Sequence, residues 1–373
     1  MLNMGSTQNR LDNHIYIYDL IRIIASFLVI INHSSGKVYF KFNPDSVEWY
    51  IAALLFIICK TAVPLFFMIT GSLLLQKNAQ SYKKMIKYIL RIVIVLFAWT
   101  YIYSCYYNNG LLSIAETKTM IINAITNRPV ITPLWYLYAL IGLYLMAPFI
   151  SRMTISFNNR DYLIFLSLWC FFNGLIPEIN ILLSNLFKTR LKLVGFFQYP
   201  LFMGWAGYFV LGYYISNRDK LTGLPVEKCT DAASRKILIS VAVAILSLAV
   251  GVLSVVVTKK TGMIDNAGFL IIIILSALIY AAFIQHEDSY KRFIAKKKTL
   301  ACIIRSISEA TFGIYLSHRL IMDILLKKLS FSPQLNMLME SVLGVLLFDV
   351  VLFCICFGFI WLIKRIPIIR KIV

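Results

Sequence analysis

The sequence predicts an all-α polytopic membrane protein with about ten transmembrane helices and both termini in the cytoplasm. Three observations carry this. Hydrophobic residues make up 60% of the 373 and mean hydropathy is +0.77, far outside the soluble range. Charged residues make up only 14%. The Lys and Arg lie mostly in short runs between apolar segments of about 20 residues, the length that crosses a bilayer.

In order, helices are expected near 15–34, 50–75, 86–105, 132–150, 161–178, 198–216, 237–258, 267–285, 309–327 and 337–363. An even number puts both termini on one side. Of the 37 Lys and Arg, 22 then fall in cytoplasmic segments and 11 in outer loops, with Arg22, Lys60, Arg91 and Arg319 in or at the edge of spans. That bias favours cytoplasmic termini, and the outer run Lys188, Arg190, Lys192 is the one dissent. The largest loops, near 106–131, 179–197, 217–236 and 286–308, are too short for a separate soluble domain, so 1–373 reads as one membrane domain. There is no internal repeat or low-complexity tract. The first fourteen residues are polar, and the apolar run after them holds Asp19 and Arg22 without a small-residue cleavage site, so the first helix is expected to stay as an anchor.

The formal charge of +20 would suggest nucleic acid in a soluble chain. Here the cations flank apolar spans, where they set orientation and meet anionic lipid heads, so nucleic-acid binding is excluded. Seven scattered cysteines with no CxxC pair read as small apolar filler, with no disulfide framework and no metal site.

The first helix carries the densest chemistry. Its run DLIRIIASFLVIINH, residues 19–33, sets Asp19, Arg22, Ser26 and His33 among apolar residues. An Arg or Asp in a span costs on the order of 3 kcal/mol even on the lenient insertion scale, which makes a functional role the default. At ~100° per residue His33 returns to within roughly 20° of Arg22, about 16 Å further along the axis. The four therefore form one polar stripe, facing a protein interior or a water-filled cavity.

Of the four histidines, His33 and His318 lie in apolar segments while His14 and His286 flank spans. A buried imidazole can take or give a proton near neutrality. Arg22 can meet an anionic ligand from the cytosol, or pair at i,i+3 with Asp19, or both. In SISEATFGIYLSH, Ser306 and Glu309 have capping-box spacing, which makes Glu309 a helix start. Thr311, Tyr315 and His318 then share one face. Lys83, Lys84, Lys87 and Arg91 form a basic stripe at the cytoplasmic mouth of the third helix, either an anchor or a dock for phosphates.

At these residues the chain resembles the acyltransferase-3 family of integral membrane acyltransferases. Arg22 and His33 behind Asp19 resemble its first-helix signature. VPLFFMITGSLL (63–74) resembles its second-helix run, PLWYLYALIGLYLMAP (133–148) its Trp-aromatic-Leu helix, YFVLGYYI (208–215) its mid-chain Gly helix, and SEATFGIYLSH (308–318) its late Tyr-Leu-x-His segment. Many members carry Arg-x-x-Arg entering the third helix; here Tyr88 stands at that spacing before Arg91, with Lys87 the nearest cation.

The resemblance implies about ten helices in the inner (cytoplasmic) membrane and transfer of an acyl group, usually acetyl from cytosolic acetyl-CoA. The acceptor is expected to be a hydroxyl of an envelope polysaccharide or lipid-linked sugar. It makes His33 the catalytic histidine and Arg22 its essential arginine, with no metal. Lys84, Lys87 and Arg91 are expected at the donor's phosphates and the pantetheine arm along the Arg22 stripe. Asp19 would hold Arg22, Ser26 would share the stripe, and Trp135, Tyr315 and His318 would line the acceptor side. His33 is expected to act as general base or to carry the acetyl itself. A non-catalytic polysaccharide exporter or flippase on the same helical plan is the alternative.

Overall fold

The computed structural model describes residues 16–39, 42–43, 46–76, 81–126, 131–187, 189, 204–222, 238, 241–246, 248–249, 251–252, 269–329 and 339–366. Among these there are helices and no strands. They are α1 (Tyr16–Tyr39), α2 (Val47–Cys59), α3 (Ala62–Leu74), α4 (Tyr82–Tyr107), α5 (Ile114–Thr126), α6 (Trp135–Ser156), α7 (Asn159–Cys170), α8 (Ile176–Phe187), α9 (Ala206–Thr222), α10 (Phe269–Gln285), α11 (Glu287–Ala295), α12 (Lys298–Leu329) and α13 (Val342–Ile363). A 3₁₀ turn, Thr132–Leu134, leads into α6, and a π-helical turn, Phe171–Leu175, joins α7 to α8.

Seven helices among the described residues are long and apolar enough to cross a membrane, or eight if α10 and α11, bent by 49° at His286, make one span. About half of the expected span near 237–258 lies outside the described residues, the other half being helical; the start of the one near 198–216 and the outer cations Lys188, Arg190 and Lys192 also lie outside them. The span near 50–75 is interrupted at Lys60 and Thr61. Pro64 has no N–H to give the Lys60 carbonyl and its ring would clash with that carbonyl, so the helix ends and restarts with Pro64 in the first turn of α3. Glu309 is not a helix start: α12 begins at Lys298, and Glu309 sits within it, paired with Arg305 at 2.9 Å. The i,i+4 pair and the amphipathic turns before it carry the helix through the supposed cap. Helices α5 and α11 were not anticipated, since neither is an apolar span.

Helix α1 is the centre, packed on α2, α3, α12 and α13. Asp19 meets Ser308 at one end and His33 meets His318 further along, so α1 and α12 run parallel. Helix α13 runs antiparallel to both, with Asp349 against Ser34 and Lys364 donating to the Glu309 carbonyl. Tyr103 of α4 donates to the Leu316 carbonyl at 2.9 Å and accepts from Leu320 N at 3.2 Å, bracketing α12.

Helices α3 and α9 cross closely on two glycines. A Cβ on Gly71 would sit 1.9 Å from the Phe209 carbonyl oxygen, and one on Gly212 would sit 2.1 Å from that of Met68. Small residues at such crossings let backbones meet where no hydrophobic drive exists between helices in lipid. A Cβ on Gly207 would strike the Trp169 ring, also at 1.9 Å.

Candidate active site

The structure brings His33 of α1 and His318 of α12 together, with ring centroids 5.0 Å apart. His318 is wholly buried, and its Nδ1 lies 2.5 Å from the Tyr315 carbonyl. A carbonyl only accepts, so Nδ1 carries the hydrogen and Nε2 presents its lone pair. That Nε2 is buried without a hydrogen-bond partner among the described residues. The Tyr315 hydroxyl donates to the Pro133 carbonyl, tying α12 to the 3₁₀ turn.

His33 opens onto a cavity of about 790 Å³, whose other lining residues include Asn32, Lys60, Trp135, Asn173, Trp205, Tyr208 and Tyr315. The size is that of a small-molecule site. Aromatic rings form much of the wall: Trp135 and Trp205 have centroids 5.1 Å apart and Trp205 and Tyr208 5.8 Å, while Tyr315 is met edge-on at 5.3 Å by Tyr136 from behind the lining. The π-helical turn aims Asn173 at this wall, where its Oδ1 accepts from Gly204 N at 2.8 Å. Gly204 has φ +78°, which a side chain would strain, and its carbonyl accepts from Trp169 Nε1 at 3.0 Å.

Toward the other end of α1, Asp19 is buried and its carboxylate meets Ser308 and Arg22. It accepts from Ser308 Oγ at 2.7 Å and from Arg22 Nη1 at 3.3 Å. Arg22 remains 30% exposed, and among the described residues only Nη1 is engaged, on Asp19, leaving its other donors for another group. Ser26 is buried, but its hydroxyl donates to the Ile23 carbonyl at 2.9 Å within its own helix. Arg22 does not line the His33 cavity. The two are at different depths, as the eleven-residue spacing requires.

The stripe on α4 divides. Lys84 lines a hollow of about 190 Å³ with Gln76, Tyr88 and Tyr144. Arg91 lines another of about 370 Å³ with Ser306, Glu309, Trp361 and Lys364. Lys87 is exposed and lines neither.

Of the expected site residues, His33, Trp135 and Tyr315 line one cavity, and His318 stands directly behind His33. Sequence reasoning missed Asn32, Asn173, Trp205, Tyr208 and the placement of Lys60. For Lys60 the signal was present, because a lysine within residues 47–74 is as costly in lipid as Arg22. The others carry no local mark; the fold gathers them.

No curated protein and no solved structure matches the chain. The family comparison matches residues 15–365 to the acyltransferase-3 family, described as an acyltransferase domain. With nearly the whole chain matched, this multi-pass membrane protein belongs to the acyltransferase-3 family and is an acyltransferase.

Proposed function

We propose that the protein is a membrane O-acetyltransferase that moves an acetyl group from cytosolic acetyl-CoA to a hydroxyl of an envelope polysaccharide or lipid-linked sugar. The observation that carries this reading is the His33–His318 pair at the wall of an aromatic cavity large enough for a sugar. Aromatic faces such as Trp135 and Trp205 offer flat apolar surfaces for the C–H face of a sugar ring, while Asn32 and Asn173 offer polar groups for its hydroxyls. Within the family, VPLFFMITG and LWYLYALIGLYLMAP resemble the corresponding runs of the enterobacterial common antigen O-acetyltransferase, which supports a glycan acceptor.

In this reading Lys84 and Arg91 meet the CoA phosphates at the cytoplasmic side, and Lys87 adds charge at the mouth. The pantetheine arm passes Arg22, which Asp19 holds in place. His33 takes the proton from the acceptor hydroxyl as its oxygen attacks the thioester carbonyl. The C–S bond breaks, and the departing CoA thiolate receives that proton from the imidazolium. His318, with a buried lone pair beside His33, steadies the charge that passes through it.

The test is incubation of purified protein with labelled acetyl-CoA, with and without glycan. We expect CoA release that depends on the glycan, and a loss of a hundredfold or so in His33→Ala, the usual contribution of general base catalysis. An exporter or flippase would release no CoA, and an alanine variant that retained wild-type turnover would remove His33 from the chemistry.

A further inference from the structure

Asp349 lies in α13, a helix otherwise built from apolar and small residues, and is completely buried. It takes no part in the mechanism above. Its Oδ2 accepts from Ser34 Oγ at 2.7 Å, while its Oδ1 is buried with no hydrogen-bond partner among the described residues. No ion pair to Asp349 occurs among the described residues. A carboxyl group in such a place is expensive to insert, so its presence calls for a compensating role.

Ser34 is the residue after His33, and it too is buried. Its hydroxyl also lies 3.3 and 3.1 Å from the carbonyls of Ile30 and Ile31, so the Asp349 contact is the one that leaves the helix. Around it the α1–α13 contact is apolar. Phe27 meets Phe353 edge-on at 5.7 Å, and Ile31, Val345 and Leu346 line the remaining gap beside Asp349. Apolar contacts of this kind tolerate sliding and rotation. A single buried polar bond does not, which is how one buried asparagine sets register in a coiled coil.

We propose that Asp349 is a positioning residue for acyl transfer: its bond to Ser34 fixes the rotation and depth of α1 at the point where His33 must face His318. The inference rests on the acyl-transfer reading for its kinetic test, and on geometry alone for its structural one. A rotation of α1 by a fraction of a residue would move the His33 ring away from its neighbour. Asp19 and Tyr18, which bond α1 to other helices, lie about four helical turns away.

Two measurements test this. In the first, Asp349→Leu lowers kcat on the order of tenfold or more, the scale of a small misplacement in an active site, with the KM for acetyl-CoA unchanged. Asp349→Asn keeps an acceptor oxygen for Ser34 and restores kcat. Ser34→Ala matches Asp349→Leu, and the double variant is no worse than either. Ser34→Ala also carries the test if Asp349→Leu fails to reach the membrane.

In the second, His33→Cys and His318→Cys are combined in a Cys59→Ala chain and oxidised with copper phenanthroline. The cross-link forms readily, slows when Asp349→Leu is added, and persists with Asp349→Asn. An asparagine variant as impaired as the leucine variant, or a leucine variant with wild-type kcat and cross-linking, would overturn the proposal. Should the wild-type chain transfer no acetyl at all, the functional reading falls and the cross-linking still decides the positioning.

Discussion

At the scale of the residue, the two histidines are predicted to act as a unit. His318→Ala is expected to lower turnover by tenfold or more, and the His33→Ala/His318→Ala double variant to be no slower than His33→Ala alone, because groups that serve one proton transfer are not additive. Steady-state rates of the three variants check this, and additive losses would separate the pair. Arg22→Lys is expected to lower kcat/KM for acetyl-CoA while leaving insertion intact. Lysine keeps the charge but loses the planar fork, so Asp19 and a donor group can no longer both be served. His33 and Arg22 stand out in the sequence as candidates because an ionisable group in lipid is too costly to be idle. Their partners do not: nothing near His33 in the chain announces His318, and nothing near Asp19 announces Ser308.

At the scale of the element, the motifs that mark the family turn out to be partly architectural. The Gly of VPLFFMITGSLL and the Gly of YFVLGYYI are where α3 and α9 touch backbone to backbone. Gly71→Ala is therefore expected to destabilise the protein by about 1–3 kcal/mol through overpacking, read as a lower melting temperature in detergent, with residual activity falling in parallel. An alanine variant with an unchanged melting temperature would mean that the crossing can open without cost. Among the described residues all ten expected spans overlap helical segments, because hydropathy of bilayer length is a strong local signal, and seven or eight helices there are long and apolar enough to cross a membrane. Three details escaped that signal. The break at Lys60 and Thr61 follows from the proline three residues on. The long α12 absorbs a capping-box pattern that looked like a start. The amphipathic α5 and α11 lie outside any span-length apolar run.

At the scale of the whole molecule, the parallel run of α1 and α12 gives the protein a depth axis. The Asp19–Arg22–Ser308 group lies at one level and the His33–His318 pair at another, roughly 16 Å separating residues 22 and 33 along the helix. With cytoplasmic termini, a donor approaching Arg22 from inside would meet an acceptor reaching His33 from outside. A cysteine placed at Asn108, just after α4, is then expected to react with an impermeant maleimide in intact cells. Labelling only after permeabilisation would invert the orientation and end the trans-bilayer route, while leaving the enzyme class untouched.

The sequence by itself determined the membrane environment, the approximate position of most spans, the costly polar groups of the first helix and the family. Each of these is written in local composition or in the order of motifs along the chain. Only the tertiary structure decided that His33 faces His318, that Trp135 shares a wall with Trp205 and Tyr208, that the α4 cations open into two separate hollows, and that Asp349 reaches Ser34. The reason is physical. In lipid, hydrophobicity places helices across the bilayer but does little to choose their neighbours, and that choice falls to close packing at glycines and to a few buried hydrogen bonds between residues far apart in the chain.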